Sequence, residues 1–170
     1  MIERLGLLLL LVLLSGGAVA DNFVGQASVV DGDTLEIYGT RIRLWGGKQS
    51  ALPRRGQLAI RCGAEAANDL DSYIGRRPVN YVPLNLDQYG RTVATCSIGG
   101  IDLGEWLVRN GLALDWPQYS GGRYDAAQRD AERAGRGLWK GSYVEPWRYR
   151  ACTRANGRPS ACSDDANAHP

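Results

Sequence analysis

Four sets of residues in this 170-residue chain have types and spacings that could do chemistry. Asp31-Gly32-Asp33-Thr34 sets two carboxylates around a glycine in a turn-forming cluster. Arg41 and Arg43 alternate with Ile42 and Leu44. A strand there turns its aliphatic pair to a core and its guanidinium pair to the other face, and the arginine face needs a reason. Asp87-Gln88-Tyr89-Gly90-Arg91 reads as a loop between two strands. From Arg136 to Arg158, six basic residues (Arg136, Lys140, Arg148, Arg150, Arg154, Arg158) stand against one acid, Glu145. That local excess can track a phosphate backbone, or it can form a solvated face. The net charge of +2 does not by itself imply nucleic acid, so distribution carries that reading.

The elements that must position these residues follow from pattern. Residues 24–30 alternate like a strand and lead into the acidic turn. Residues 35–38 and 41–44 flank Gly39-Thr40 as a hairpin. Residues 48–61 show no period and, with Pro53 and Gly56, read as a loop. A helix is predicted over 65–74, with Ala66, Leu70, Tyr73 and Ile74 on one stripe. Strands follow at 79–83 and 92–97. Asp102 opens a second helix, with Glu105 three residues on as in a capping box, and Gly111 closes it; Leu103, Trp106 and Leu107 are its buried stripe. A third helix is predicted over 124–134, carrying Tyr124, Ala127, Ala131 and Ala134. Short strands that turn corners, with a helix inserted, suggest a small closed barrel rather than a parallel sheet. The length suits one domain with a real core, and 22% charged residues with 44% hydrophobic suit a globular chain.

Residues 5–14 are apolar apart from one glycine, Arg4 precedes them, and Ala18-Val19-Ala20 ends the small residues that follow. This predicts a signal peptide over 1–20, an exported protein (periplasmic or secreted) and a mature start at Asp21. An N-terminal membrane anchor is the alternative. Export makes pairing the expectation for the four cysteines, and no CxxC spacing suggests zinc. Cys152 and Cys162 enclose a short Gly/Pro/Arg-rich loop and are expected to form a disulfide; whether Cys62 and Cys96 pair is left open. The aromatics Trp139, Tyr143, Trp147 and Tyr149 read as packing residues or as base-stacking platforms.

Val30-Asp31-Gly32-Asp33-Thr34-Leu35, Ile42-Arg43-Leu44-Trp45-Gly46, Asp87-Gln88-Tyr89-Gly90-Arg91, Leu107-Val108-Arg109-Asn110-Gly111-Leu112-Ala113 and Arg136-Gly137-Leu138-Trp139 occur in this order. Together they resemble the staphylococcal nuclease-like (thermonuclease) family over residues 24–150. The resemblance implies a mainly β fold, a five-stranded OB barrel with about three α-helices, and calcium-dependent cleavage of phosphodiester bonds in DNA or RNA. The nuclease domain is then expected over 21–150, in a monomer without a stable protein partner; the cysteine-enclosed loop and the polar composition beyond it predict a disulfide-stapled loop and disordered tail over 151–170. Asp33 matches the family's calcium aspartate, with Asp31 as neighbouring support. Arg43 matches the arginine that clamps the scissile phosphate, and Arg91 the one that stabilises the transition state. Planar guanidinium forks on rigid strands meet the charge that builds on phosphate oxygens without reorganising. Against this, Arg43 and Arg91 could simply pair with Asp31, Asp33 or Asp87. Arg148, Arg150 and Arg154 are the expected nucleic-acid-binding residues of the basic segment.

The family continues after Ile-Arg-Leu-x-Gly with a hydrophobic residue and Asp-Ala-Pro-Glu or Asp-Thr-Pro-Glu, which supplies a second calcium carboxylate and the proposed general base. In this chain Lys48 stands for the aspartate and Ala51 for the glutamate. The resemblance therefore implies a nuclease with impaired turnover. A binding module that holds nucleic acid without cutting it, or a structural exported protein, are the alternatives. Residues 48–60 can be written in codons whose neighbouring frame spells Glu-Ser-Asn-Gln-Leu-Cys-Arg-Asp-Glu-Asp-Ser-Leu-Gln, which resembles a family member just after Asp-Ala-Pro. A local frame slip restored near Arg61 would account for the segment.

Overall fold

The computed structural model describes residues 22–49, 52–53, 62–141, 143–158 and 162. The expected leader over 1–20, the mature start at Asp21, Ala51, residues 54–61 and the tail from 163 lie outside the described residues, as does the Lys48 side chain. In chain order the elements are β1 (Phe23–Gly25), β2 (Ala27–Asp31), β3 (Thr34–Ile37), β4 (Thr40–Leu44), β5 (Gly47–Gln49), β6 (Leu52–Pro53), α1 (Cys62–Ile74), β7 (Val79–Leu86), β8 (Thr92–Ile98) and β9 (Ile101–Asp102). Then come α2 (Leu103–Arg109), β10 (Ala113–Asp115), α3 (Pro117–Ser120), α4 (Asp125–Arg133), a 3₁₀ turn (Gly137–Lys140), β11 (Tyr143–Val144) and α5 (Pro146–Arg154).

The main sheet runs β1-β7-β8-β4-β3-β2, with β9 paired on β8. β1 and β2 stand at opposite edges of this order yet are separated in sequence only by Gln26. One stretch of chain thus pairs at both edges and curls the seven-stranded sheet into a half-barrel of the OB type. β4 and β8 run parallel and the other pairs of the sheet are antiparallel. The alternation in β4 works as predicted: Ile42 and Leu44 are buried while Arg41 is exposed and Arg43 half-buried. Leu35, Ile37, Ile42 and Leu44 meet Leu70 and Ile74 of α1 and Leu103, Leu107 and Val108 of α2 in one core. Each fully buried aliphatic side chain of this kind contributes about 1.5–3 kcal/mol.

The predicted helices sit where the pattern put them, with informative differences. α1 begins at Cys62, three residues before the expected start. Its Tyr73 is half-buried and stacks on Trp106 of α2, ring centroids 4.2 Å apart. Asp102 caps α2, its Oδ1 accepting from Gly104 N (2.8 Å) and Glu105 N (3.1 Å). Glu105 does not complete the capping box, because its carboxylate is taken by Arg109 at 2.5 Å. In α4, Ala127 and Ala131 are buried, but Ala134 is the exposed C-cap.

Two parts of the sequence expectation need correction. Residues 47–49 and 52–53 are strand, not loop; β5 pairs with β10 and β6 with β11. These partners lie far along the chain, so a local window carries no trace of them. The C-terminal basic segment is helical, as α5, and α3 is a further short helix, so the described residues hold five α-helices rather than three. α5 runs through Arg150, where the nuclease domain was expected to end. Its stripe is weak because only Pro146 is buried; its signal is that proline at the first helical turn.

Gly111 and Gly137 explain why two of the five motifs occur together. Both have positive φ, and a Cβ on Gly111 would sit 2.2 Å from the Arg136 carbonyl oxygen. Leu138 N donates to Gly111 O at 2.9 Å. The end of α2 thus locks onto the 3₁₀ turn that leads to α5. Beyond it, Cys152 and Cys162 form the expected disulfide, with Cα atoms 5.6 Å apart. Cys96 is a buried free thiol, its pKa pushed up to about 12 by burial and then by the Asp102 charge.

Candidate active site

The acidic turn joins β2 to β3, and strand register brings Arg43 to it. Thr34 pairs directly with Arg43 across β3 and β4, and Leu44 N donates to Asp33 O at 2.9 Å. The Arg43 guanidinium reaches Asp33, Nη2 to Oδ2, at 3.5 Å. The other Asp33 oxygen accepts from the Thr34 hydroxyl at 2.8 Å. Asp31 turns back on its own loop, Oδ1 accepting from Gly32 N at 2.8 Å.

The β7–β8 turn supplies the second arginine through Asp87. Its Oδ1 accepts from Tyr89 N (2.9 Å) and Arg91 N (3.0 Å). Its Oδ2 lies 2.7 Å from Arg91 Nη2 and 2.8 Å from Arg91 Nε. The same oxygen is 3.8 Å from Arg43 Nη1. Burial raises the Asp87 pKa, but the hydrogen bonds from Arg91 and Tyr89, with the Arg91 charge, outweigh it and hold the carboxyl below its ordinary range. Asp87 thereby ties Arg43 and Arg91 into one unit. The pattern alone did not single it out; its signal was four-residue spacing to Arg91 across a glycine turn. The carboxylate pairing weighed against phosphate clamping is thus present for Asp33 and Asp87.

A cleft of about 520 Å³ opens beside this unit, lined among others by Arg43, Asp87, Trp45, Trp116, Tyr119 and Arg154. Trp116 and Tyr119 at the start of α3 pack ring to ring at 4.2 Å, and Trp147 of α5 stacks behind Trp116 at 6.0 Å. Sequence reasoning missed this wall because Trp116 reaches the cleft only through the non-local pairing of β10 with β5; Trp116 N donates to Gly46 O at 3.2 Å. Trp139 and Tyr143, by contrast, pack edge to face on each other. Tyr149 of α5 is half-buried.

Of the three expected arginines of α5, two come to this region. Arg154 lines the cleft. Arg150 is half-buried, and its Nη1 is buried without a hydrogen-bond partner. Burial, then the like charge of Arg43, push its guanidinium below its ordinary pKa, with Asp33 acting the other way. It remains a cation throughout the working pH range. Arg148 instead pairs with Glu145, Nε to Oε2, at 2.6 Å.

Calcium takes about six to eight oxygen ligands, and the donor set does not fit it. Asp33 has one oxygen on Thr34 and the other facing Arg43. Among the described residues no group of three or more His, Cys, Asp or Glu could hold a metal ion. Lys48, at the position of the expected second aspartate, lies in β5 opposite Leu114. What the arrangement can do is hold phosphate: cationic forks are fixed by main-chain register and by one half-buried carboxylate.

The family model described as staphylococcal nuclease homologue matches residues 41–141. A relative from Rhizobium meliloti (strain 1021), named succinoglycan biosynthesis protein ExoI, is 37% identical over 155 residues, covering 83% of this chain and 76% of its own. A probable endonuclease LCL3 from Paracoccidioides brasiliensis (strain Pb03) is 34% identical over 122 residues, 62% of this chain and 36% of its own. A probable staphylococcal-like nuclease CAN3 from Oryza sativa subsp. japonica is 32% identical over 107 residues, 62% of this chain and 28% of its own. The five ordered motifs, the OB-type half-barrel and these matches agree: the chain belongs to the staphylococcal nuclease homologue family.

Proposed function

We propose that this chain is an exported member of a nuclease family that binds DNA or RNA at its arginine cleft and hydrolyses it poorly. The observation that carries this is the linked set Asp33–Arg43–Asp87–Arg91, which holds two guanidiniums in place before any ligand arrives. Family membership makes a phosphodiester the expected ligand. Arg43 would grip the scissile phosphate, and Arg91 would meet the charge on its equatorial oxygens and leaving oxygen. The name of the rhizobial relative points to polysaccharide production, but a cluster of arginines suits phosphate rather than a neutral sugar.

Impairment follows from Lys48 and Ala51. An ammonium in place of a metal carboxylate disfavours calcium, and loss of a general base costs about 10²–10⁴ in rate. For this chain the binding-module reading therefore describes what the residues can do, and the nuclease reading describes its lineage. The test is a pair of assays on the purified chain. Association with single-stranded DNA should be salt-sensitive, while calcium-stimulated cleavage should be little or none. Affinity unchanged between low and high salt would end the nucleic-acid reading. Robust calcium-dependent cleavage, abolished by Asp33→Ala, would end the impairment reading.

A further inference from the structure

The family match ends at residue 141, yet the helix beyond it returns to the arginine cleft. α5 is held at both ends. Pro146 starts it and the Glu145–Arg148 ion pair closes its first turn. The Cys152–Cys162 bridge and the bond from Gly157 N to Cys152 O at 2.9 Å hold its last turn. At about 100° per residue, Arg150 and Arg154 project from one face and Arg148 from nearly the opposite one. Among the described residues neither Arg150 nor Arg154 makes an ion pair, and Arg150 Nη1 is buried without an acceptor. A buried donor left unpaired is costly, and the acceptor it lacks is what an anion held by Arg154, one turn along the same face, would bring beside it.

Charge in the cleft points the same way. Arg43, Asp87 and Arg154 line the cleft; counting the groups next to them, with Asp33 on Arg43, Arg91 on Asp87 and Arg150 one turn before Arg154 on the same face of α5, four guanidiniums stand against two carboxylates, and both carboxylates are already engaged by Arg43 or Arg91. Two positive charges are left over, and each phosphodiester carries one negative charge. We propose that Arg150 and Arg154 form a second phosphate seat beside the Arg43–Arg91 clamp, so that the cleft takes two successive phosphodiesters of a single-stranded nucleic acid. The proposal rests on the nucleic-acid reading above. A single strand is the fitting form because its backbone can bend between two seats, and Trp116 and Tyr119 on the cleft wall offer faces to an unpaired base.

The experiment measures binding of thymidine dimers, trimers and tetramers, which carry one, two and three phosphodiesters, to the full oxidised chain. Affinity should rise about tenfold from dimer to trimer and little thereafter. In the double variant Arg150→Gln, Arg154→Gln that step should shrink to less than about twofold, with dimer affinity nearly kept, since the clamp is intact. The salt slope for the tetramer should fall by about 0.7, the share of one phosphate contact in a single strand. The double variant Arg129→Gln, Arg133→Gln removes two charges from the exposed face of α4, outside the cleft lining, and should keep the step. A step that persists in the Arg150/Arg154 variant, or that the Arg129/Arg133 variant removes equally, overturns the second seat. If no oligomer binds the unaltered chain in a salt-dependent way, the nucleic-acid reading falls and this proposal with it. Thermal melts and peptide mapping of the disulfide check the fold; if the Arg150/Arg154 variant unfolds, Arg154→Gln alone carries the test.

Discussion

The two walls of the cleft were built by different rules and have fared differently. On the arginine wall, Arg43 is set by strand register against Thr34, and Arg91 by a carboxylate four residues before it. On the other wall, Trp116 and Tyr119 follow β10, which is held by main-chain pairing with β5. Backbone hydrogen bonds are indifferent to side-chain identity. The β5–β10 pairing is therefore kept although Lys48 of β5 stands where the family's aspartate is expected. Architecture and chemistry separate where position is secured by backbone and reactivity by side chain.

The largest effect should come from repairing the segment after Gly46. Replacing residues 47–60 with a segment that begins Ile-Asp-Ala-Pro-Glu-Ser should restore calcium binding and raise cleavage by about 10²–10⁴, read by calorimetry and by single-strand cleavage. Ala51→Glu alone should recover far less, because a base is of limited use where Lys48 repels the metal. Repair without any gain would mean the arginine wall is not catalytically poised. The coding sequence gives a separate check: codons over residues 48–60 that cannot spell the acidic peptide in the neighbouring frame exclude a frame slip.

Reducing Cys152–Cys162 tests whether α5 belongs to the arginine wall. The bridge spans a sequence separation of 10, and its loss should cost about 2–3 kcal/mol in denaturant melts. Single-strand affinity should drop in parallel. Peptide mapping of the unreduced chain should find the two cysteines joined, and free thiols there would remove the staple.

Arg43→Ala and Arg91→Ala should each weaken single-strand binding by about tenfold. Equal binding by both variants and the unaltered chain would move the phosphate site elsewhere.

The smallest effect concerns pH. The folded Asp87 pKa lies below its ordinary value of 3.8, so its contribution to stability is present above that value. It is lost as pH falls through the folded value. Asp87→Asn should flatten the acid limb of the stability curve, and an unchanged limb would show that other carboxylates dominate it.

Much of the arginine wall was legible in the sequence because its determinants are local. Alternation in β4 turned Arg43 away from the core, the loop over residues 87–91 marked Arg91, and Asp102 and Gly111 bounded α2. The spacing of two cysteines around a short loop also sufficed for the disulfide. Tertiary structure decided the rest. β5 and β6 exist because β10 and β11 lie beside them. Trp116 reaches the cleft through that pairing, and α5 returns to Arg43 because Gly111 and Gly137 interlock. That Arg154 and not Arg148 lines the cleft depends on helical phase against a packed neighbour. Local sequence sets a residue's conformational preference and spacing. Only packing between distant segments decides what that residue meets, because such contacts depend on pairings that no window of neighbouring residues contains.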